Sequence, residues 1–220
     1  MTFSILAREP ETGVFGAAAA TGWLCVGAWV LRGDPIAGLT ASQGALPSTL
    51  WGERALAGLR AGRAARDAVS AAIVPDAGRE HRQLSALDAA GRGAAHTGRA
   101  NTVWRGHRVL PDLVLAGNLL SGEAVLDALL DGFRNTTGPM AERLLAALAA
   151  AEAAGGDTRG LQSAALLVLS ESAAPLDLRI DWSERPVADL TTLYQHSRAP
   201  DYVAWMSGLP THNHPEGRDD

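Results

Sequence analysis

Two segments of this chain have no polar face. Val14 to Ala20 reads Val-Phe-Gly-Ala-Ala-Ala-Ala, and Ala164 to Leu169 reads Ala-Ala-Leu-Leu-Val-Leu. Strands of that composition have to be covered on both sides. A sheet with one solvated face cannot hold them, so the fold needs at least one layer above and one below.

The other elements say what those layers are. Thr2 to Arg8 alternates Thr2 and Ser4 with Phe3 and Ile5, the period of two of a strand. Pro10-Glu11-Thr12-Gly13 is a turn leading into Val14–Ala20. Ile36 to Ala41 reads as a further strand. A helix capped by Ser48 or Thr49 follows, carrying Leu56 and Leu59. Arg63 to Ile73 makes a second helix, with Ala65, Ala68, Val69 and Ala72 on one face and Pro75 as its stop. Gln83 to Leu87 and Gly93 to Thr97 flank Asp88-Ala89-Ala90-Gly91, a hairpin signature, and Leu113 to Ala116 is another strand.

A second helix pair comes next. Val125, Leu126, Leu129, Leu130 and Phe133 form one apolar stripe, and Met140, Leu144, Leu145 and Leu148 the other. Pro139 opens that last helix and Gly155-Gly156 closes it. Ala164–Leu169 and a half-exposed strand with Leu176, Leu178 and Ile180 precede a final helix over Val187 to Gln195.

Helices that arrive in pairs do not fit strict βαβ alternation. Two antiparallel sheets packed face to face, with a helix pair on each outer face, do. The expected fold is therefore α+β, a four-layer αββα sandwich formed by residues 1–198, followed by a polar tail over 199–220.

Several functions are excluded by composition. All 19 positive charges are arginine and the chain has no lysine. That removes a P-loop lysine, a Schiff-base lysine and a lysine general base together. The net charge of −5 is scattered, without the basic stripe of a nucleic-acid binder. The most apolar run, Val14 to Val30, is interrupted by Gly16, Gly22 and Gly27 and does not read as a membrane span. The start shows no signal peptide. With one cysteine, Cys25, no internal disulfide can form, and a cytoplasmic location is expected. Glu80-His81 and His212-Asn213-His214 each lack a third ligand, so neither metal nor cofactor is expected.

The chemistry centres on Thr2. A small second residue permits removal of Met1, which leaves Thr2 with a hydroxyl nucleophile and a free α-amine. The amine pKa, about 7.7–8.0, suits a general base at neutral pH. This is the arrangement of an N-terminal-nucleophile (Ntn) hydrolase. A small residue after Met1 also has ordinary processing reasons, which keeps the reading open. Asn118 is a candidate oxyanion donor or a turn residue after Gly117. Arg8 is a candidate electrostatic partner of Thr2 or a surface ion pair with Glu9 or Glu11. Arg79-Glu80-His81-Arg82-Gln83 is a dense polar run entering a strand, and alternation would turn one set inward, Glu80 and Arg82 or His81 and Gln83. An inward carboxylate–arginine pair could bind a substrate carboxylate, hold the N-terminal amine or serve as a structural ion pair. Trp23, Trp29 and Trp51 are expected to rim the N-terminus, lining a pocket or a subunit interface.

Several motifs together resemble one family. They are Met1-Thr2-Phe3-Ser4-Ile5 with Ala7-Arg8, Gly78-Arg79-Glu80-His81-Arg82-Gln83, Thr97-Gly98 and Gly117-Asn118. Gly156-Asp157 with Arg159-Gly160, Gln162-Ser163-Ala164-Ala165 and Asp177-Leu178-Arg179-Ile180-Asp181 complete the set. Over residues 1 to 195 the chain resembles the family filed as domain of unknown function 1028, assigned to the Ntn-hydrolase superfamily. The resemblance implies the Ntn fold and leaves the substrate open. Two segments depart from the family's usual pattern: Thr21-Gly22 stands where Ser-Lys is commoner, and Gln43-Gly44-Ala45-Leu46-Pro47 where Gln-Ala-Phe-Ala-Asn is frequent.

Two functions follow. One is a hydrolase of a small amide or cyclic amide, acting through Thr2 as a homodimer or larger homo-oligomer. The other is a non-catalytic protein of the same fold that binds a ligand or partner in the same cleft.

Overall fold

The two wholly apolar segments lie side by side within one sheet of the computed structural model, which describes residues 2–101, 104–156 and 159–217. Strand β1 (Thr2–Arg8) pairs antiparallel with β2 (Phe15–Thr21) on one side and with β8 (Leu113–Leu120) on the other. Beyond β2 lie β9 (Ser163–Ser170) and the edge strand β10 (Ala173–Ile180). Beyond β8 lies β7 (Trp104–Leu110), which completes the order β10-β9-β2-β1-β8-β7. A second antiparallel sheet runs β3 (Leu31–Asp34), β4 (Gly38–Gly44), β5 (Arg82–Asp88), β6 (Gly93–Thr97).

Strand alternation sorts the side chains into three apolar layers. Phe3, Ile5 and Ala7 point outward to α4 (Ala124–Asn135), α5 (Met140–Ala153) and α6 (Pro186–Ser197). Leu6, Phe15, Ala17 and Ala19 point inward, onto Leu39, Ala41 and Leu87 of the second sheet. On that sheet's far face, Leu84 and Ala86 meet α2 (Thr49–Arg60) and α3 (Ala65–Ile73). The fold is thus α+β in the four layers expected. A fully buried Phe3 or Ile5 contributes about 1.5–3 kcal/mol each.

Small residues let the layers approach. A Cβ on Gly16 of β2 would lie 2.4 Å from Met140 Cγ of α5, and one on Gly132 of α4 would lie 2.8 Å from the Ala146 carbonyl oxygen. This is why an alanine- and glycine-rich strand sits under the second helix pair.

Some elements differ from the sequence reading. The strand expected from Ile36 begins at Gly38, because Asp34 Oδ1 accepts from both the Ile36 and Ala37 amides at 2.9 Å and holds them in a turn. Edge strands β3 and β7 escaped notice; β7 (Trp-Arg-Gly-His-Arg-Val-Leu) is polar, half exposed and broken by a register shift after Trp104. β8 runs four residues past Ala116, since Gly117 and Asn118 pair with Phe3 and Thr2. Ser48 stands at the α2 N-cap, with no side-chain capping bond. Two short helices, α1 (Val26–Trp29) and α7 (Pro200–Ser207), were also unmarked. The latter lies in the stretch read as a polar tail, where the Asn213 amide donates to the Glu171 carbonyl at 3.0 Å. Among the described residues no helix is long and apolar enough to cross a membrane.

Candidate active site

β1 begins inside the inter-sheet layer, so its first residue reaches the end of the sandwich with its side chain between the sheets. Thr2 is 8% exposed there. Antiparallel pairing sets Thr21 and Asn118 opposite it on its two neighbours. The Thr2 and Thr21 hydroxyl oxygens are 3.1 Å apart.

From the second sheet come two glutamines, buried at 1% (Gln43) and 0% (Gln83). Gln43 Nε2 donates to the Thr2 carbonyl at 3.2 Å and to Gln83 Oε1 at 3.0 Å. Gln83 Oε1 also accepts from Asn118 Nδ2 at 2.8 Å. Gln83 Nε2 faces three acceptors: the Gly117 carbonyl at 2.8 Å, the Thr97 hydroxyl at 3.0 Å and the Gly106 carbonyl at 3.2 Å. Two of these are carbonyls, which can only accept, so the orientation of the Gln83 amide is forced. Its oxygen must then take the amide hydrogens of Gln43 and Asn118, and this leaves Gln43 Oε1 and Asn118 Oδ1 buried without a partner. Such atoms cost about 1–3 kcal/mol each.

A cleft of about 370 Å³ opens over Thr2. Thr21, Gln43, Gly44, Val26, Val30 and Leu119 line it beside Thr2, together with Trp23, Leu24, Trp29, Pro47 and Arg159. Leu119 holds a left-handed backbone at φ 57°, a strained conformation for a leucine. Ser163 anchors the wall that carries the tryptophans: its hydroxyl donates to the Trp23 carbonyl at 2.7 Å and accepts from the Val26 amide at 3.1 Å. Both departures from the family pattern, at Thr21 and at Gln43–Pro47, therefore meet Thr2 in one cleft.

Other expected residues lie elsewhere. Arg8 shares the inward parity of Thr2 but ends the same strand, about 20 Å away at ~3.3 Å per residue. It pairs there with Asp112 at 3.1 Å and cannot act on Thr2. Asn118 is within β8 and is no turn residue; it is fully buried, its amide nitrogen is committed to Gln83, and it is not on the cleft lining. That geometry removes it as an oxyanion donor and makes it a support. Glu80 and His81 belong to a single 3₁₀ turn, Arg79–His81, outside the cleft. Hydrogen bonding from the Arg99 amide, ahead of the other influences, holds the Glu80 carboxyl below its ordinary value. Arg82 turns to the outer face, pairing with Asp76 at 2.9 Å and lying over the Trp51 ring. It also donates to the Leu46 carbonyl, and so braces the loop beside the cleft without touching Thr2. Trp51 is on the buried face of α2 and does not line the cleft, unlike Trp23 and Trp29.

The sequence reading set Gln83 with His81 as one possible inward pair and did not name it a site residue. The available signal was parity: with Leu84 and Ala86 facing helices, Gln83 had to face the sheets. Met1 and Asp157 lie outside the described residues. Among the described residues, no group of three His, Cys, Asp or Glu side chains converges on a possible metal position.

The model of a family described as "Family of unknown function (DUF1028)" matches residues 2–190. The crystal structure of protein SPO2555 from Silicibacter pomeroyi, of the same family model, is 46% identical and superposes with a TM-score of 0.94, over 100% of this chain and 99% of that one. The crystal structure of HslV from Trypanosoma brucei is 12% identical, with a TM-score of 0.46 over 76% of this chain and 99% of that one. The curated proteins give no match.

Proposed function

The chain belongs to the DUF1028 family, and from that premise we propose that it is an Ntn hydrolase that cleaves a small amide or cyclic amide through Thr2 once Met1 has been removed. The observation that carries this reading is the position of Thr2: its hydroxyl sits on the floor of the cleft, at the first residue of a central strand between two sheets.

In this reaction Thr2 Oγ1 attacks the amide carbonyl carbon while its proton passes to the α-amine, directly or through water. The C–N bond breaks, the leaving nitrogen takes that proton, and water then hydrolyses the acyl ester to release acid and free Thr2. The amine has to be the base. Among the described residues, the buried ionisable side chains are Asp88 and Tyr194, and neither lines the cleft; the buried polar groups around Thr2 are hydroxyls and amides. Arg159 on the cleft lining is a guanidinium, which has N–H donors only and no acceptor to take a proton. The oxyanion falls to backbone N–H groups, since Gln43 has committed both amide hydrogens and Asn118 is fully buried off the cleft lining.

Intact mass and electrophile labelling test this together. We expect a mass lacking Met1, and modification at Thr2 by an amide-mimicking electrophile that falls about a thousandfold or more in Thr2→Ala. Retained Met1 would end the mechanism. Removal of Met1 without labelling across a broad probe set would favour the second reading, a ligand-binding protein, which the uncharged surroundings of Thr2 support.

A further inference from the structure

Among the described residues, the lining of the cleft over Thr2 is largely apolar and carries one ionisable side chain, Arg159, besides the Thr2 α-amine that removal of Met1 would free. Its guanidinium lies 5.2 Å over the Trp23 ring, a stacking that orients the planar fork. Trp23 and Trp29 are 66% and 52% exposed and flank Leu24, itself half exposed. Large apolar side chains left in water around a concave opening mark a binding surface.

We propose that the cleft takes a small amide bearing one carboxylate and one flat apolar group. The carboxylate meets Arg159, the apolar group lies against Trp29, Val26 and Val30, and the amide carbonyl is held over Thr2. The amide in this description rests on the hydrolase reading; the carboxylate and the apolar group do not.

Size and charge narrow the class. About 370 Å³ is space for about a dozen waters at ~30 Å³ each, suited to an acylated amino acid and too small for a folded chain. A cation would meet Arg159 with like charge, and a polyanion would find one positive partner where it needs several. Arg159 makes contacts within the chain, but five N–H donors leave the fork able to hold a carboxylate as well.

The test uses N-phenylacetylglycine and its neutral carboxamide, which share ring and amide and differ in the charge. Binding is followed by tryptophan fluorescence in Thr2→Ala, where turnover by Thr2 cannot intervene. The acid should bind at least tenfold more tightly than the carboxamide. Arg159→Met, which keeps an apolar stem over Trp23, should erase that preference, the acid losing at least tenfold more affinity than the carboxamide. Trp29→Ala should weaken both ligands. Equal binding of acid and carboxamide, a preference that survives Arg159→Met, indifference to Trp29→Ala, or binding of neither ligand would each overturn the proposal. Turnover by the unmodified protein separates the two ideas. Preferential binding of the acid without hydrolysis sinks the hydrolase reading and leaves this one standing; hydrolysis of both compounds at equal affinity does the reverse.

Discussion

The two ends of the sandwich are built from opposite materials. At the end where β1 finishes, charge closes the structure. Arg8 pairs with Asp112, Arg60 with Asp34 at 2.7 Å and Arg92 with Asp88 at 2.9 Å, while the Asp112 amide donates to Gly91 at 2.9 Å and ties two hairpins together. At the end where β1 starts, the buried polar groups are neutral and the rim is aromatic. An ion pair at a turn satisfies itself and leaves little for a visitor. A buried amide network with two unpaired oxygens and an open cleft above it has interactions to spare. The same strand thus ends in a fastening and begins in a site, and burial and pairing, more than proximity to charge, tell the two apart.

That contrast can be broken by substitution. Gln83→Leu should have the largest effect: it strands the amide hydrogens of Gln43 and Asn118, lowers stability by about 3 kcal/mol, and reduces labelling of Thr2. Unfolding by denaturant together with the labelling rate checks both parts; an unchanged labelling rate would show that the network does not position Thr2. Next comes Asp88→Asn. Burial pushes the Asp88 carboxyl up, but hydrogen bonds from the Ala65 and Arg92 amides, the Arg92 guanidinium and the Ala90 amide outweigh it and hold it below its ordinary value. A lowered carboxylate stabilises above the unfolded value near 3.9 and loses that contribution as pH falls through the folded value. The native protein should therefore melt at falling temperature below about pH 4. Asp88→Asn should cost about 2 kcal/mol at pH 7, flatten the acid limb, and leave Thr2 labelling intact. Arg8→Ala should do least, at most about 1 kcal/mol for a partly exposed pair, with labelling unchanged. A loss of labelling there would erase the distinction between the two ends.

Much of the fold was readable because it follows from burial. The polar-faceless Val14–Ala20 and Ala164–Leu169 demanded cover on both sides, and the paired helices supplied it. Strands at the sheet edges were harder. β7 carries Arg105, His107 and Arg108 among its apolar residues, and a half-solvated strand has no composition of its own. At the site, the two segments that depart from the family pattern, near residues 21 and 43, lie beside Thr2 because each ends a strand. The charged candidates misled. Arg8 has the right parity and the wrong end of the strand, a distinction that periodicity cannot make. In Arg79–Gln83 the 3₁₀ turn took Glu80 and His81 out of the alternation, so that Gln83, the least conspicuous of the five, turned inward.

The position of Thr2 has a practical side. A chain without lysine, processed to begin at Thr2, contains a single primary amine, and that amine sits at the cleft. Amine-selective reagents that in most proteins scatter over dozens of surface sites would here address one. An isotopically enriched methyl group placed on that nitrogen would give one resonance, reporting from beside the Thr2 hydroxyl as ligands come and go.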